Sequence, residues 1–298
     1  MITRTTNATM ARSAQANLQA NISRLAKLQE QATTSAAITR PSDNPTGTAD
    51  AMKVRAEIRA NAQYKANISE AGGWLMTVDQ ALANTTDILR RVKDLAVSAG
   101  GAALSAADRG AIATEIEGLK QDLLGQANTA YLGRTVFAGN SDAGHAFTAD
   151  SYAYTGATDA GKHGPVERRI DVHTSVRVDV DGTSVFGEGN SSVFKLLDDL
   201  AADLRGNGTG SALSADLDAR INTVLTVHTE VGVRHARTLT AEEQNMEQAV
   251  ALETRRSGIE DLDTAKVIMD LKLQEVAYQS ALAVTARVLQ PTLMDFLR

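Results

Sequence analysis

The 298-residue sequence contains no cysteine. That excludes a disulfide framework, a cysteine zinc site and a thiol nucleophile. Aromatic residues are scarce, at 4%, while 43% of the chain is hydrophobic and alanine is abundant. Such a chain is not disordered by composition. Its balance favours long, closely packed helices over a large aromatic core. No apolar run approaches the roughly 18 residues of a transmembrane helix. The start, MITRTTNATMARSAQANLQANISRL, lacks an apolar signal core, so neither a membrane partner nor a cleaved secretory signal is expected. A basic excess is missing too: 30 Lys and Arg stand against 36 Asp and Glu, for a net charge of −6. An electrostatic nucleic-acid binder would need a basic face.

What is present is helical periodicity. Ala14, Leu18, Ile22, Leu25, Leu28 and Ala32 are spaced by threes and fours. This stripe is narrow, closer to a coiled-coil seam than to a globular helix face. RPSDNPTGTAD (40–50) interrupts it. There Asn44 followed by Pro45 suits an N-cap with proline in the first turn of the next helix.

Ile68, Leu75, Leu82, Leu89 and Ala96 then recur every seven residues. Ala71, Val78, Thr85, Val92 and Ala99 interleave, and the repeat predicts a long helix in a bundle or coiled coil. Gly72 and Gly73 lie inside it, each costing about 1 kcal/mol relative to alanine. Ser105 with Asp108 reads as a capping box. It opens an amphipathic helix through Ile112, Ile116, Leu119 and Leu123.

From about Gly133 to Gly189 the character changes. Ile170, Val172, Thr174, Val176, Val178 and Val180 alternate, a strand pattern that ends in a hairpin-type Asp181-Gly182 turn. A short helix over about 192–205 follows. Helix resumes near Ala215, with Leu225, Leu239 and Met246 on a seven-residue repeat through Gly232. Ser257 and Glu260 read as a second capping box that starts the last helix.

On that last helix Leu271, Tyr278, Leu282 and Leu289 form one stripe, and Leu273, Ala277, Ala281, Val284 and Val288 a second. Lys272, Gln279, Ser280, Arg287 and Gln290 lie opposite. The apolar arc is wider than the roughly 100° that one partner covers. One stripe can pair with the N-terminal helix. The other is expected to be an interaction surface, buried when copies of the chain assemble into a ring or helical polymer. The assembly residues expected from this reading are Leu18, Ile22, Leu25, Leu28, Leu271, Tyr278, Leu282, Val284, Val288, Leu289, Leu293, Phe296 and Leu297. Pro291 is expected to end the helix, leaving Leu293 to Leu297 as a separate plug.

RPSDNPTGTADAMKVR, NTAYLGRTVFAGN (128–140), VGVRHARTL (231–239) and the stretch from Ser257 to the ending PTLMDFLR resemble the FlgL family of flagellar hook-associated junction proteins, within the flagellin superfamily. The resemblance covers the chain except the variable insert. It implies a mainly α, nested architecture: a terminal coiled-coil assembly domain (1–40 and 258–298), a helical bundle (41–135 and 192–257) and a small β-rich inserted outer domain (136–191). It also implies an extracellular flagellar subunit exported through a type III channel without signal cleavage. The implied partners are copies of itself, flagellin, the neighbouring hook-associated junction protein and an export chaperone at the C-terminal helix. The alternatives are flagellin itself, a secreted helical type III subunit or effector, and an enzyme with its site in the insert.

Other motifs have plainer readings. His228 and His235 are seven apart and no carboxylate cluster completes a metal site. Asp179–Gly182 lacks the further ligands of a calcium loop. GRTVFAGN has no P-loop lysine. The Asn-x-Ser/Thr sequons are those expected by chance in such a composition. Trp74 suits either bundle packing or a subunit contact. No catalytic residue, cofactor or metal is expected.

Overall fold

In chain order the helices are α1 (Asn7–Thr34), α2 (Pro45–Ala99), α3 (Ala106–Ala127), α4 (Gly182–Phe186), α5 (Val193–Arg205), α6 (Ser214–Glu260) and α7 (Thr264–Val288). Between α3 and α4 lie two short antiparallel hairpins, β1 (Ala130–Tyr131) with β2 (Arg134–Thr135) and β3 (Glu167–Arg169) with β4 (Ser175–Arg177). The computed structural model describes residues 7–101, 104–156, 164–206 and 208–288. The described residues fall into two compact units. One holds the chain through Ala60 together with the chain from Ala249, and the other is Asn61–Gln248.

The helix starts follow from their caps. Asn44 Oδ1 accepts the Gly47 N–H at 2.9 Å, which opens α2 at Pro45 as its spacing predicts. Ser105 and Asp108 form the expected reciprocal capping box on α3. Ser192 caps α5 through Lys195 N–H. The second predicted box is not a helix start. Ser257 and Glu260 lie inside α6, and α7 begins after Asp263, whose carboxylate accepts the Lys266 N–H at 3.1 Å. An aspartate immediately ahead of the helix does the capping, so the serine is left as an ordinary helical residue.

The α2 repeat is the spine of the second unit. Ile68, Ala71, Leu75, Val78, Leu82, Thr85, Leu89, Val92, Ala96 and Ala99 are all buried. The repeat expected on α6 is displaced by one residue. Leu239 and Met246 are 54% and 55% exposed, while Leu217, Val224, Val231, Thr238, Asn245 and Leu252 occupy the buried seven-residue seam. Two of those six are polar, which is why a search for large apolar residues finds the neighbouring column instead.

The segment between α3 and α5 differs from its predicted strand. The β3–β4 hairpin turns at 170–174, and Val178 and Val180 are buried in irregular chain beyond it. Asp181 is not in a hairpin turn: it caps α4, accepting the Thr183 N–H at 2.9 Å. The few aromatics are concentrated here. Phe137, Phe147, Phe186 and Phe194 pack with ring centroids 5.2–5.8 Å apart, joined by Tyr152 and Tyr154. A helix-rich chain thus places three of its five phenylalanines in the part with the least regular backbone, packed on Phe194 of α5, where no repeating seam is available to bury apolar area.

Tyr152 ties this segment to the bundle. Its hydroxyl donates to Asp198 at 2.7 Å, and Asp198 also takes Lys120 at 2.5 Å. Arg205–Glu117 completes the α3–α5 ion pairs at 2.5 Å. Asp179 is a buried acceptor for Val166 N–H and for Arg177 Nε and Nη2. His228 bonds Asp79 at 2.8 Å. Among the described residues no cluster of three metal-ligating side chains occurs. Trp74 is buried against Tyr131 (ring centroids 5.8 Å apart) and under Arg168, so it packs within the unit.

Candidate assembly surface

The first unit is built around α1 and α7, brought together at their inner ends. Ala36 and Asp261 form an antiparallel bridge, Ala37 N–H donates to Glu260 C=O at 2.8 Å, and Gln31 reaches Ala37 C=O at 2.9 Å. The RPSDNPTG turn then reverses the chain. Asp43 accepts from Lys27 at 3.0 Å, from the Thr39 hydroxyl at 3.0 Å and from Arg40 N–H at 3.3 Å. Those bonds, the one from Lys27 first, hold the Asp43 carboxyl below its ordinary pKa. A side chain at Gly47 would place its Cβ 2.6 Å from Asn44 and 2.8 Å from Ile38. The glycine is therefore part of the turn's geometry.

Arg256 gathers the other arm. It donates to Glu253 and Glu260 and reaches Asp261 at 3.3 Å. Arg55 pairs with Glu260 at 2.6 Å. The carboxylates, Glu253 foremost, hold the Arg256 guanidinium in its charged form.

Beyond this knot the helix pair is a narrow seam. On α1 the half-buried positions are Ala14, Leu18, Asn21, Leu25 and Leu28, with Glu30 and Gln31 near the inner end. On α7 Val267 is buried, and Leu271, Gln274, Tyr278, Ala281 and Thr285 follow it at alternating spacings of four and three. That is heptad spacing on both helices. Gln274 bonds Asn21 across the seam.

Of the expected assembly residues, Leu18, Leu25, Leu28, Leu271 and Tyr278 lie in this seam. Ile22 does not: it is exposed, because Asn21 takes the inward position opposite Gln274. Leu282 is 42% exposed and Val284 60%. Val284 shares the side of α7 turned from α1 with Met269, Leu273 and Val276, while Leu282 flanks the seam beside Leu271 and Tyr278, the stripe to which its spacing assigns it. Leu289, Leu293, Phe296 and Leu297 lie outside the described residues, as does the side chain of Val288. A cleft of about 530 Å³ runs beside the seam, lined by Arg24, Lys27 and Leu28 of α1 and Asp270, Leu273 and Ala277 of α7. Among the described residues the arrangement gathers no set of groups for bond-breaking chemistry.

Two family descriptions match the chain, "Bacterial flagellin N-terminal helical region" over residues 6–142 and "Bacterial flagellin C-terminal helical region" over residues 215–297. Flagellar hook-associated protein 3 of Salmonella typhimurium is 25% identical over 281 residues, covering 86% of this chain and 87% of its own. A flagellin of Bacillus subtilis is 26% identical over 290 residues, covering 92% of each. The crystal structure of Bacillus cereus FlgL superposes with a TM-score of 0.59 at 20% identity, over 69% of this chain and 99% of that one. At that identity the superposition establishes the fold.

Proposed function

The chain belongs to the flagellin superfamily, and from that premise we propose that it is a structural subunit of the bacterial flagellum, forming the junction between hook and filament on which flagellin polymerises. The observation that carries this reading is the pairing of α1 with α7 that leaves Met269, Leu273, Val276 and Val284 open on α7. An apolar strip remaining after the intramolecular partner is in place fits contact with further subunits. The similarity to flagellar hook-associated protein 3 over 86% of this chain supports the junction reading.

We assign the terminal unit as the assembly domain. Its seam residues join the ends of one copy, and Leu282, Val284, Val288, Leu289, Leu293, Phe296 and Leu297 form the contact with the next. The partners are copies of this chain, flagellin on one side and the neighbouring hook-associated protein on the other. An export chaperone covers the C-terminal helix before passage through the type III channel, without signal cleavage, to the cell exterior. The role is mechanical, with no catalytic step and no cofactor.

Deletion of the gene tests this reading. The expected result is intact hooks and flagellin monomers shed into the medium, with immunogold label in the complemented strain confined to the hook–filament boundary. The second reading, flagellin itself, is favoured by the match to a filament protein over most of the chain. It requires label along the whole filament and a deletion strain that sheds no monomer.

A further inference from the structure

Leu132 stands at the tip of the β1–β2 hairpin, where its surroundings and its backbone are at odds. It is 77% exposed, the highest value among the large apolar side chains described. It also sits at φ 48°, followed by Gly133 at φ 79°. These two residues are the whole loop between Tyr131 and Arg134, the left-handed pair that a type I′ turn requires. Asparagine, aspartate or glycine normally takes the first of these places, because the Cβ of a bulky residue crowds the following carbonyl oxygen there. The chain thus holds a leucine in a disfavoured conformation and leaves it in water. Burial within the same chain offsets neither cost.

A cleft of about 520 Å³ opens elsewhere on the same unit, between the β3–β4 hairpin and α6. Ile170 and Val176 line it from one side, Val233 and Ala236 from the other, and Asp171 and Arg237 stand in the same lining. The ion pairs beside it are Arg168–Glu70, Arg177–Asp179 and Arg234–Glu230, and Asp171 and Arg237 belong to none of them. The Asp171 carboxylate accepts the Val172 N–H at 2.6 Å. The tip of the β1–β2 hairpin is similar. Arg134 gives its guanidinium to the neutral side chain of Asn140, and Asp142 follows two residues on. Tip and cleft therefore each present one cation and one anion outside the described ion pairs, around an apolar centre.

We propose that Leu132 is a contact knob for a second copy of this chain, seated in that copy's cleft between the β3–β4 hairpin and α6. The inference rests on the reading of the chain as a self-assembling flagellar subunit, and it adds a contact in the second unit to the open strip of α7. Docking rewards what the isolated chain leaves unrewarded. The leucine loses its contact with water, and a residue already fixed in one backbone well gives up little further freedom on binding. Arg134 and Asp142 of one copy complement Asp171 and Arg237 of the other, which favours a second copy as the occupant. A knob and a cleft at different places on one molecule meet head to tail. Repetition of that contact gives a ring where the rotation closes and a helix where it does not.

Photocrosslinking tests the contact in assembled protein. Leu132 is replaced by p-benzoylphenylalanine in the full chain, and flagella sheared from the complemented deletion strain are irradiated. The expected product has twice the mass of the chain, with the crosslink mapped by mass spectrometry to 170–176 or 233–241. Absence of that product, or capture of a different flagellar protein in its place, overturns the proposal. Two substitutions separate the contact from folding. Leu132→Asn should raise the urea midpoint of the isolated chain, since asparagine accepts the left-handed conformation. It should also lower the amount of chain recovered in sheared flagella several-fold. Leu132→Met, which keeps an apolar side chain, should leave that recovery unchanged. Undiminished recovery with Leu132→Asn, or a lowered urea midpoint, overturns the contact role. Failure of the junction reading is distinguishable, because it moves the immunogold label along the filament and leaves the self-adduct in place.

Discussion

Gln274 on α7 donates its side-chain amide to Asn21 on α1, 3.3 Å from the backbone oxygen and 3.2 Å from the side-chain oxygen. The bond lies in the middle of the terminal seam, in a stretch where leucines would otherwise be expected on both sides. Among the α1 and α7 residues with described side chains, Val267 alone is buried. A seam that is half-buried throughout and polar at its centre contributes far less than the fully buried α2 column, at about 25 cal/mol per Å² of apolar surface removed from water.

The first expected consequence is an ordered loss under protease. Local opening follows burial, so limited proteolysis of the isolated chain should cut within α1 and α7 before it cuts α2 between Ile68 and Ala96. Mass spectrometry of the resistant fragment should return a core close to Asn61–Gln248. Cleavage first in the 136–191 stretch, with α1 and α7 intact, would contradict the assignment of the terminal unit as the part completed by other subunits.

Leu282→Asp separates assembly from folding. Leu282 is 42% exposed at the edge of the seam, so in the isolated chain the change should alter stability by no more than about 1 kcal/mol. Against another subunit the same carboxylate would be buried without a partner, costing several kcal/mol. The expected result is normal helicity and thermal midpoint together with shed flagellin monomer and loss of swimming in the complemented deletion strain. Wild-type swimming with Leu282→Asp would remove α7 from the contact surface.

Much of this molecule was readable before its structure, for physical reasons that also mark the limits. The α2 repeat is legible because tertiary packing and the seven-residue spacing agree at every position from Ile68 to Ala99. The column on α6 was not, because Thr238 and Asn245 are buried by what faces them. Nothing within the α6 segment distinguishes them from surface residues. Ile22 fails in the same way: Asn21 takes its inward place because Gln274, 253 residues further on, supplies the hydrogen bond. The alternation from Ile170 to Val180 looked like one strand, yet within it Ser175–Arg177 alone pair with β3, Val172 and Thr174 are exposed at the hairpin turn, and Val178 and Val180 are buried in irregular chain. Periodicity reports burial there without reporting the ladder. For the candidate site, Leu271 and Tyr278 followed from the helical wheel. The outward set at Ile268, Met269 and Val276 emerged once the partner of the inward set was fixed.

Acid should weaken the turn that joins α1 to α2. Asp43 has its pKa lowered in the folded chain, chiefly by the hydrogen bond from Lys27 and then by that from Thr39. A depressed carboxylate stabilises the fold above its unfolded pKa, and that contribution is lost as pH falls through the folded value. The parent chain should therefore lose stability between pH 5 and pH 3, taken as about the ordinary carboxylate range. Asp43→Asn should lose less over the same interval, having given up the contribution already at pH 7. Urea midpoints at pH 7 and pH 3 for both chains provide the measurement. Equal drops in the two would show that Asp43 does not contribute to the acid limb.

The adjacent glycines of α2 should respond to alanine with opposite signs. A Cβ at Gly72 meets nothing within 4 Å. Gly72→Ala should then express the intrinsic helix preference alone, a gain of about 1 kcal/mol. At Gly73 the new Cβ would stand 2.4 Å from the Tyr131 hydroxyl and 2.9 Å from the ring carbon that bears it. Tyr131 cannot simply swing aside: its ring packs against buried Trp74, centroids 5.8 Å apart, and it precedes a turn held by Leu132 and Gly133 at φ of 48° and 79°. Overpacking of this kind costs about 1–3 kcal/mol, which meets or exceeds the same helix gain. Gly73→Ala should therefore be less stable than Gly72→Ala by about 1–3 kcal/mol, read as separate denaturation midpoints, with a changed tryptophan emission because the displaced ring lies on Trp74. Restoring room with Gly73→Ala/Tyr131→Phe, which removes the oxygen nearest the new methyl, should recover part of the loss. Failure of that double variant to recover any of it would place the strain in the helix backbone rather than at the tyrosine.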